Sequence, residues 1–281
     1  MPELPEVELV GRHLRPHILG RRIRHVTATA PSYFFLTSPA TLRQQLPGET
    51  IRSLERIGKY LLAQLSSGRR LLLHLGMTGQ LILEGAQSPR LVHGTPFVRD
   101  KHTHLVLEFA DSGPKLYFRD TRKFGKVRLL MPGESDPRLD KLGPDALTLT
   151  QRILFGASRK RRAKVKSMLL DQTVTAGIGN IYADESLSLA RIHPERPAMS
   201  LTESECKNLA RIVRRVLTRS IEAGGSSIDD YIHPDGSKGG FQQRFRVYGR
   251  EGEPCRKCGT AVSRVVIGQR SSHFCPNCQR F

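Results

Sequence analysis

Cys255-Arg256-Lys257-Cys258 and Cys275-Pro276-Asn277-Cys278 stand near the C-terminus, with residues 259–274 between them. Two C-x-x-C knuckles at that spacing can set four thiolates tetrahedrally around one Zn²⁺ and leave no position for water. The pattern predicts a closed, structural zinc site. A redox pair would need one knuckle only, and disulfides do not suit the reducing compartment that five cysteines in 281 residues imply. Around the knuckles lie Arg244, Arg246, Arg250, Arg256, Lys257, Arg264 and Arg270, so the zinc hairpin doubles as a basic surface. The fifth cysteine, Cys206, falls on a helical stripe with Leu209, Ile212, Val213, Val216, Leu217 and Ile221 and reads as a buried, inert thiol.

Moving toward the N-terminus, Ser200 with Glu203 suggests a capping box for the helix that carries this stripe and ends at Gly224-Gly225. Helical material is expected at Lys166–Gln172 and again from about Ile181 to Ala190. The turn-forming stretch Thr173-Val174-Thr175-Ala176-Gly177-Ile178-Gly179-Asn180 lies between them. A second helix N-terminus placed there offers amides and a dipole to a phosphate. Arg152, Arg159, Lys160, Arg161, Arg162, Lys164 and Lys166 follow one another without an acid between Gln151 and Leu170. In a chain with 45 Lys+Arg against 26 Asp+Glu, formally +19, that run reads as a phosphate-binding surface. The partner is nucleic acid rather than membrane: no apolar run reaches the ~18 residues of a spanning helix, and no signal peptide is legible. The reading is a cytoplasmic protein, nucleoid-associated in a bacterium. Ser226–Gly240, with Gly236, Gly239 and Gly240, reads as a long functional loop.

Before Met131-Pro132-Gly133 the pattern changes to short strands punctuated by Gly, Pro, Ser and Asp. Strands are expected at Ile23–Thr29, Ile51–Arg56, Tyr60–Leu65, Arg70–Leu75, Leu105–Phe109, Lys115–Arg119 and Lys126–Leu130. Glu84–Lys101 is expected to be a surface loop. Val7, Val10, Leu14 and Ile18 recur at helical spacing, so a helix starts near Pro5 and strains or ends around Pro16 to Gly20.

The chain opens Met1-Pro2-Glu3-Leu4-Pro5-Glu6-Val7-Glu8. With Met1 removed, Pro2 would present a secondary amine. An α-amino group titrates near 7.7–8.0, well below a lysine, so more of it is neutral and nucleophilic near pH 7. Glu3 and Glu6 bring carboxyl groups to the same corner for proton transfer. Read alone, the stretch equally allows an ordinary N-terminus whose prolines delay the first helix.

Five stretches together resemble the bacterial formamidopyrimidine-DNA glycosylases, which excise 8-oxoguanine and ring-opened purines. They are Pro2 to Glu8, Gly58-Lys59-Tyr60, His74-Leu75-Gly76-Met77-Thr78-Gly79, Asp171-Gln172 through Gly177 to Tyr182, and the tail from Val247-Tyr248-Gly249-Arg250 onward. The resemblance implies that Pro2 attacks C1′ of a flipped nucleotide, that Glu3 is the acid assisting sugar-ring opening, and that Glu6 supports the amine. It implies that Lys59 acts beside the sugar and phosphate in β-elimination and Arg270 in δ-elimination. His102, Arg122, Arg161, Lys166 and Asn180 match DNA-contacting positions. Met77, Arg122 and Phe124 match the wedge that fills the hole left by base flipping, with Arg122 also reading the orphaned cytosine. Read alone, Lys59 would be a solvated lysine, Met77 core filling and Phe124 a strand aromatic. The sequence departs from the family pattern at Leu9, usually Thr, at Lys123, usually Arg, and in the extended loop 84–101.

The expected fold is α+β in two domains. An N-terminal β-sandwich carrying an N-terminal helix occupies 1–133 and a linker 134–150. A helix-two-turns-helix bundle with the lesion-capping loop occupies 151–240, and the zinc finger 241–281. The expected activity is a bifunctional DNA glycosylase and AP lyase with one structural Zn²⁺. It would act as a monomer on duplex DNA carrying oxidised purines or abasic sites. Two alternatives stand: an endonuclease VIII-like enzyme for oxidised pyrimidines, which Leu4, Met77 and Phe124 disfavour, and a non-catalytic zinc-containing DNA-binding protein, for which Pro2, Glu3 and Lys59 would be superfluous.

Overall fold

A computed structural model describes residues 2–86, 97–159, 161–228 and 232–281. The chain divides into two compact units, residues 1–139 with 223–240, and residues 140–222 with 241–281.

The first unit opens with α1 (Leu4–Ile18), whose buried stripe includes Leu4, Val7, Val10, Leu14 and Ile18. Pro16 sits in its last turn and has no N–H to donate to the carbonyl four residues back, and the helix ends two residues further on, at Ile18. Among the described residues eight strands follow: β1 (Ile23–Ala28), β2 (Ile51–Ile57), β3 (Tyr60–Leu65), β4 (Arg70–His74), β5 (Gly79–Leu83), β6 (Thr103–Phe109), β7 (Leu116–Asp120) and β8 (Lys126–Leu130). They form two four-stranded sheets, in orders β1-β6-β7-β5 and β2-β3-β4-β8, with every neighbouring pair antiparallel. Both sheets and α1 contribute to one core, including Val10, Leu14, Leu61, Leu71, Leu73, Leu81, Leu107 and Phe118. The expected β-sandwich with an N-terminal helix is therefore present. Leu71-Leu72-Leu73 does not alternate with polar residues because both faces of β4 are covered: Leu72 packs with Leu62 and Leu130 in a second cluster, against Leu139.

Two elements lie outside the strands expected between 20 and 130. The helix α2 (Pro39–Gln45) carries its own start signal, Ser38-Pro39, with Ser38 Oγ accepting from Thr41 N at 3.1 Å. The five-residue strand β5 is buried throughout and hidden in the sequence by the turn glycines before it. Of the Glu84–Lys101 loop, 87–96 lie outside the described residues.

The second unit contains α4 (Gln151–Arg159), α5 (Val165–Leu170), α6 (Asn180–Ala190), α7 (Glu203–Glu222) and the hairpin β9 (Ser263–Ile267) to β10 (Arg270–Phe274); a helical turn α3 (Pro137–Asp140) spans the boundary. The turns between α5 and α6 are tied by one side chain: Gln172 Nε2 donates to the Leu170 and Ile178 carbonyls, and Oε1 accepts from Gly177 N. Cys206 is buried on the α7 stripe as expected. The capping box is displaced by two residues from expectation. Thr202 N donates to Glu205, and Glu205 N donates to Thr202 Oγ1, whereas the Ser200 hydroxyl is spent on the Pro197 carbonyl inside a 3₁₀ turn. Among the described residues, no helix is long and apolar enough to cross a membrane.

Residues 223–240, expected with the helical bundle, pack with the first unit. Glu6 Oε1 accepts from Ser226 N, the Pro234 carbonyl accepts from Leu83 N, and the Ala223 carbonyl closes the stem on Gly240 N.

Candidate active site and nucleic-acid interface

Pro2, Glu3 and Glu6 are all buried in the first unit. The helix start explains the arrangement. Glu3 is the N-cap of α1 and Glu6 its third residue, so the Glu6 carboxylate folds back and accepts from Glu3 N at 2.9 Å. Its other oxygen accepts from Ser226 N at 2.9 Å. One carboxylate thus fixes both the residue that follows Pro2 and the first limb of the 226–240 loop. At Gly225 a Cβ would lie 3.1 Å from Leu9 Cδ1 and 3.2 Å from Glu6 Oε1, so the departure at Leu9 falls at the root of this loop. The other limb is held by His233, whose ring stacks 4.6 Å from that of His13 on α1. Residues 229–231 of the loop lie outside the described residues.

Lys59 occupies a two-residue hairpin turn between β2 and β3, with the positive φ of 58° taken by Gly58. Arg56 ties that turn to α1: it donates from Nε to Glu8 at 2.8 Å and from Nη1 to the Gly58 carbonyl at 3.1 Å. Burial pushes the Glu8 carboxyl up, but bonds to Arg12 and Arg56 win and hold it below its ordinary value. Lys59 itself is only 9% exposed. Burial first, and then the positive charge of Lys59, push the nearby His74 down to about 4, so this imidazole stays neutral near pH 7.

Met77, Arg122 and Phe124 are carried on two loops that one buried residue holds together, with Met77 and Phe124 exposed. Asp120 accepts from Thr78 Oγ1 at 2.5 Å, from Arg122 N at 3.1 Å and from Gly125 N at 2.7 Å. Gly76 lets the loops meet backbone to backbone: its φ is +63°, and a Cβ there would come within 2.5 Å of Gly125 N and Phe124 C. Arg122 lies over the Phe124 ring at 4.7 Å. His102, half-buried, joins this assembly through its carbonyl, which accepts from Asp120 N at 2.8 Å.

In the second unit Asn180 is the first residue of α6, and its Nδ2 donates to the Ser271 carbonyl at 2.9 Å. An amide carries a second N–H for a phosphate. Arg161 is half-buried and bonds Asp171 at 2.8 Å. Arg270 is exposed immediately after the Gly268-Gln269 turn of the hairpin, where both φ values are positive, as a type I′ turn requires.

Lys166 departs from its expected place. Expected on the phosphate-binding surface, it is fully buried, with its ammonium 2.6 Å from Asp184 Oδ1 and donating to Ser271 O and Ser272 Oγ. Asp184 also accepts from His273 N at 2.9 Å. A charge so enclosed has no path to a phosphate; it fastens β10 to α5 and α6.

The Sγ atoms of Cys255, Cys258, Cys275 and Cys278 lie within 4.8 Å of one another. Zn–S bonds of about 2.3 Å put tetrahedral sulfurs ~3.8 Å apart, so four soft thiolates at this separation fit one structural zinc ion.

The first 127 residues match the formamidopyrimidine-DNA glycosylase N-terminal domain, 142–231 match the H2TH domain of the same enzymes, and 252–280 match the zinc finger found in FPG and IleRS. The chain belongs to the formamidopyrimidine-DNA glycosylase family. It is 45% identical over 284 residues to the formamidopyrimidine-DNA glycosylase of Paracoccus denitrificans, covering 100% of both chains. Among solved structures of the family, the MutM (Fpg) protein of Thermus thermophilus superposes with a TM-score of 0.87 at 41% identity, covering 99% of this chain and 98% of that one. The Lactococcus lactis Fpg bound to DNA containing Fapy-dG superposes with a TM-score of 0.86 at 37% identity, covering 99% and 100%.

Within this family frame, the residues that support the site escape a reading of sequence alone. Asp120 is passed over because Arg119-Asp120 looks like a strand end, although a lone Asp entering a Gly-containing loop is a recognisable receiver of backbone N–H groups. Asp184 and Glu185 are passed over inside a run of buried residues on α6, where two adjacent acids should have signalled partners. Glu185 accepts from the backbone N–H groups of Arg246, Val247 and Tyr248; burial nevertheless leaves its carboxyl above the usual range.

Proposed function

We propose that the chain excises oxidised purines, 8-oxoguanine and formamidopyrimidines, from duplex DNA through an iminium on Pro2 and then cleaves the strand at the abasic site. The observation that carries the reading is the N-terminal corner: Pro2 and Glu3 are buried together, with Glu6 holding Glu3 N and the root of the 226–240 loop. A solved Lactococcus lactis relative holds Fapy-dG DNA and another holds an abasic site, and we assign both substrate classes to this chain.

With Met1 removed, the neutral Pro2 nitrogen attacks C1′ of the flipped nucleotide as Glu3 delivers a proton to the sugar-ring oxygen and the ring opens. The nitrogen then sheds its own proton, its lone pair forms the C1′ iminium, and the base leaves with the electrons of its bond to C1′ and takes up that proton. Loss of a C2′ proton then expels the 3′ phosphate, a second elimination expels the 5′ phosphate, and water releases the amine. Lys59, at its hairpin tip, serves the first elimination and Arg270 the second. Met77, Arg122 and Phe124 fill the stack, while His102, Arg161 and Asn180 hold phosphates. Zinc keeps the hairpin folded and takes no part in the bond changes.

Borohydride reduction during turnover on abasic duplex should yield one protein–DNA adduct, mapped by mass spectrometry to Pro2 of chains lacking Met1. An adduct on any lysine, or full activity with Met1 retained, would refute the assignment.

A further inference from the structure

Tyr33 lies on none of the motifs discussed above and is 58% exposed, an unusual setting for a large aromatic. Its hydroxyl is nonetheless committed, donating to the Arg122 carbonyl at 2.6 Å. Its ring stands 6.3 Å from the Phe124 ring, tilted by 48°. The Lys126 ammonium also lies 4.8 Å over the Tyr33 ring, while the Arg122 guanidinium covers Phe124 at 4.7 Å. Lys126, Tyr33, Phe124 and Arg122 thus form one chain of contacts: cation, aromatic, aromatic, cation. Base faces stack on aromatic rings and phosphates seek cations, so the group suits an opened base stack better than it suits water.

The backbone beneath this group is bent. Lys123 has a φ of +58°, a left-handed conformation that a non-glycine residue adopts only when its surroundings hold it. Asp120 holds the bend from inside the sandwich, through Arg122 N and Gly125 N. Tyr33 holds it from outside, through the carbonyl of the same Arg122. The two bonds grip opposite ends of residue 122, which fixes the direction in which its guanidinium leaves the loop.

We propose that Tyr33 is a positioning residue for the wedge, setting Arg122 and Phe124 in the stack and thereby the preference for the base opposite the lesion. The proposal rests on the glycosylase reading and on the wedge role of Arg122.

Tyr33→Phe and Tyr33→Leu test it, and the exposure of the side chain means that both should fold, with the melting temperature lowered by no more than a few degrees. The wild type and both variants are compared on 8-oxoguanine paired with cytosine and with adenine, and on abasic duplex with borohydride. A 2-aminopurine beside the lesion reports wedge insertion. Tyr33→Leu should lower the cytosine-over-adenine excision ratio about tenfold, the worth of one lost hydrogen bond together with a ring contact, and should weaken the 2-aminopurine signal. Tyr33→Phe should keep that signal and lose only a few-fold in the ratio. Borohydride trapping on abasic DNA should stay within about twofold, because C1′ is already exposed there. An unchanged ratio in Tyr33→Leu would overturn the proposal, as would an equal loss on every substrate. Failure of the wild type to trap on abasic DNA would instead overturn the glycosylase reading.

Discussion

The loops bearing Met77, Arg122 and Phe124 rest on a β-sandwich and take their shape from one buried carboxylate, Asp120, that collects backbone N–H groups and a hydroxyl. Among the described residues, the hairpin bearing Arg270 forms a sheet of two strands. It is held by four thiolates at one end and by the buried Lys166–Asp184 pair against its second strand. An isolated two-stranded hairpin is marginal in water, and a segment the length of 252–280 cannot bury enough apolar surface to hold itself together. Where a core already exists, a carboxylate suffices to aim a loop. Where none exists, the chain uses a metal and a buried ion pair.

The largest test of this contrast is removal of the metal. Cys258→Ser should release zinc and unfold residues around 252–280, because structural zinc binding of about 10–16 kcal/mol is folding energy for such a module. Hydrogen exchange should show the sandwich still protected while affinity for a lesion duplex collapses. Unchanged affinity after verified zinc loss would break the comparison.

Next in size is the buried pair. Lys166→Met should cost about 3–5 kcal/mol in urea unfolding, since it strands Asp184 without its partner, and Lys166→Met with Asp184→Leu should recover most of that loss. The salt dependence of DNA binding by the folded variant should be unchanged. A slope flattened by nearly one unit would mean that the Lys166 ammonium reaches a phosphate after all.

Arg161→Ala should have the smallest effect. Arg161 shares its guanidinium with Asp171, so its loss should flatten the salt slope by at most about 0.9 and weaken lesion and undamaged duplexes alike. A change confined to lesion preference would place Arg161 at the base rather than the backbone.

Spacing made much of this molecule legible. The knuckles announce the zinc site, the apolar positions of α1 and α7 announce their buried faces, and seven of the eight sandwich strands stand out between turn residues. What spacing hides is direction. Lys166 belongs to a dense basic run, and nothing local tells that this one lysine turns inward; the cue is Asp184, on the next helix, buried among apolar neighbours. Tyr33 and Asp120 are likewise meaningless until the loops of residues 76–79 and 121–125 are brought together, a contact made by folding rather than by sequence proximity. Thr202 and Ser200 are both sound capping residues, and only the 3₁₀ turn at Ala198–Ser200 decides between them.

The proposed chemistry turns on the N-terminal corner, and Glu3→Gln reaches it most directly. A time course on 8-oxoguanine and abasic duplexes, with borohydride trapping in parallel, should show base excision stopped, because an amide supplies no proton, while lesion binding and cleavage of the preformed abasic site persist. Normal 8-oxoguanine excision by Glu3→Gln would contradict this chemistry and move the general acid to Glu6.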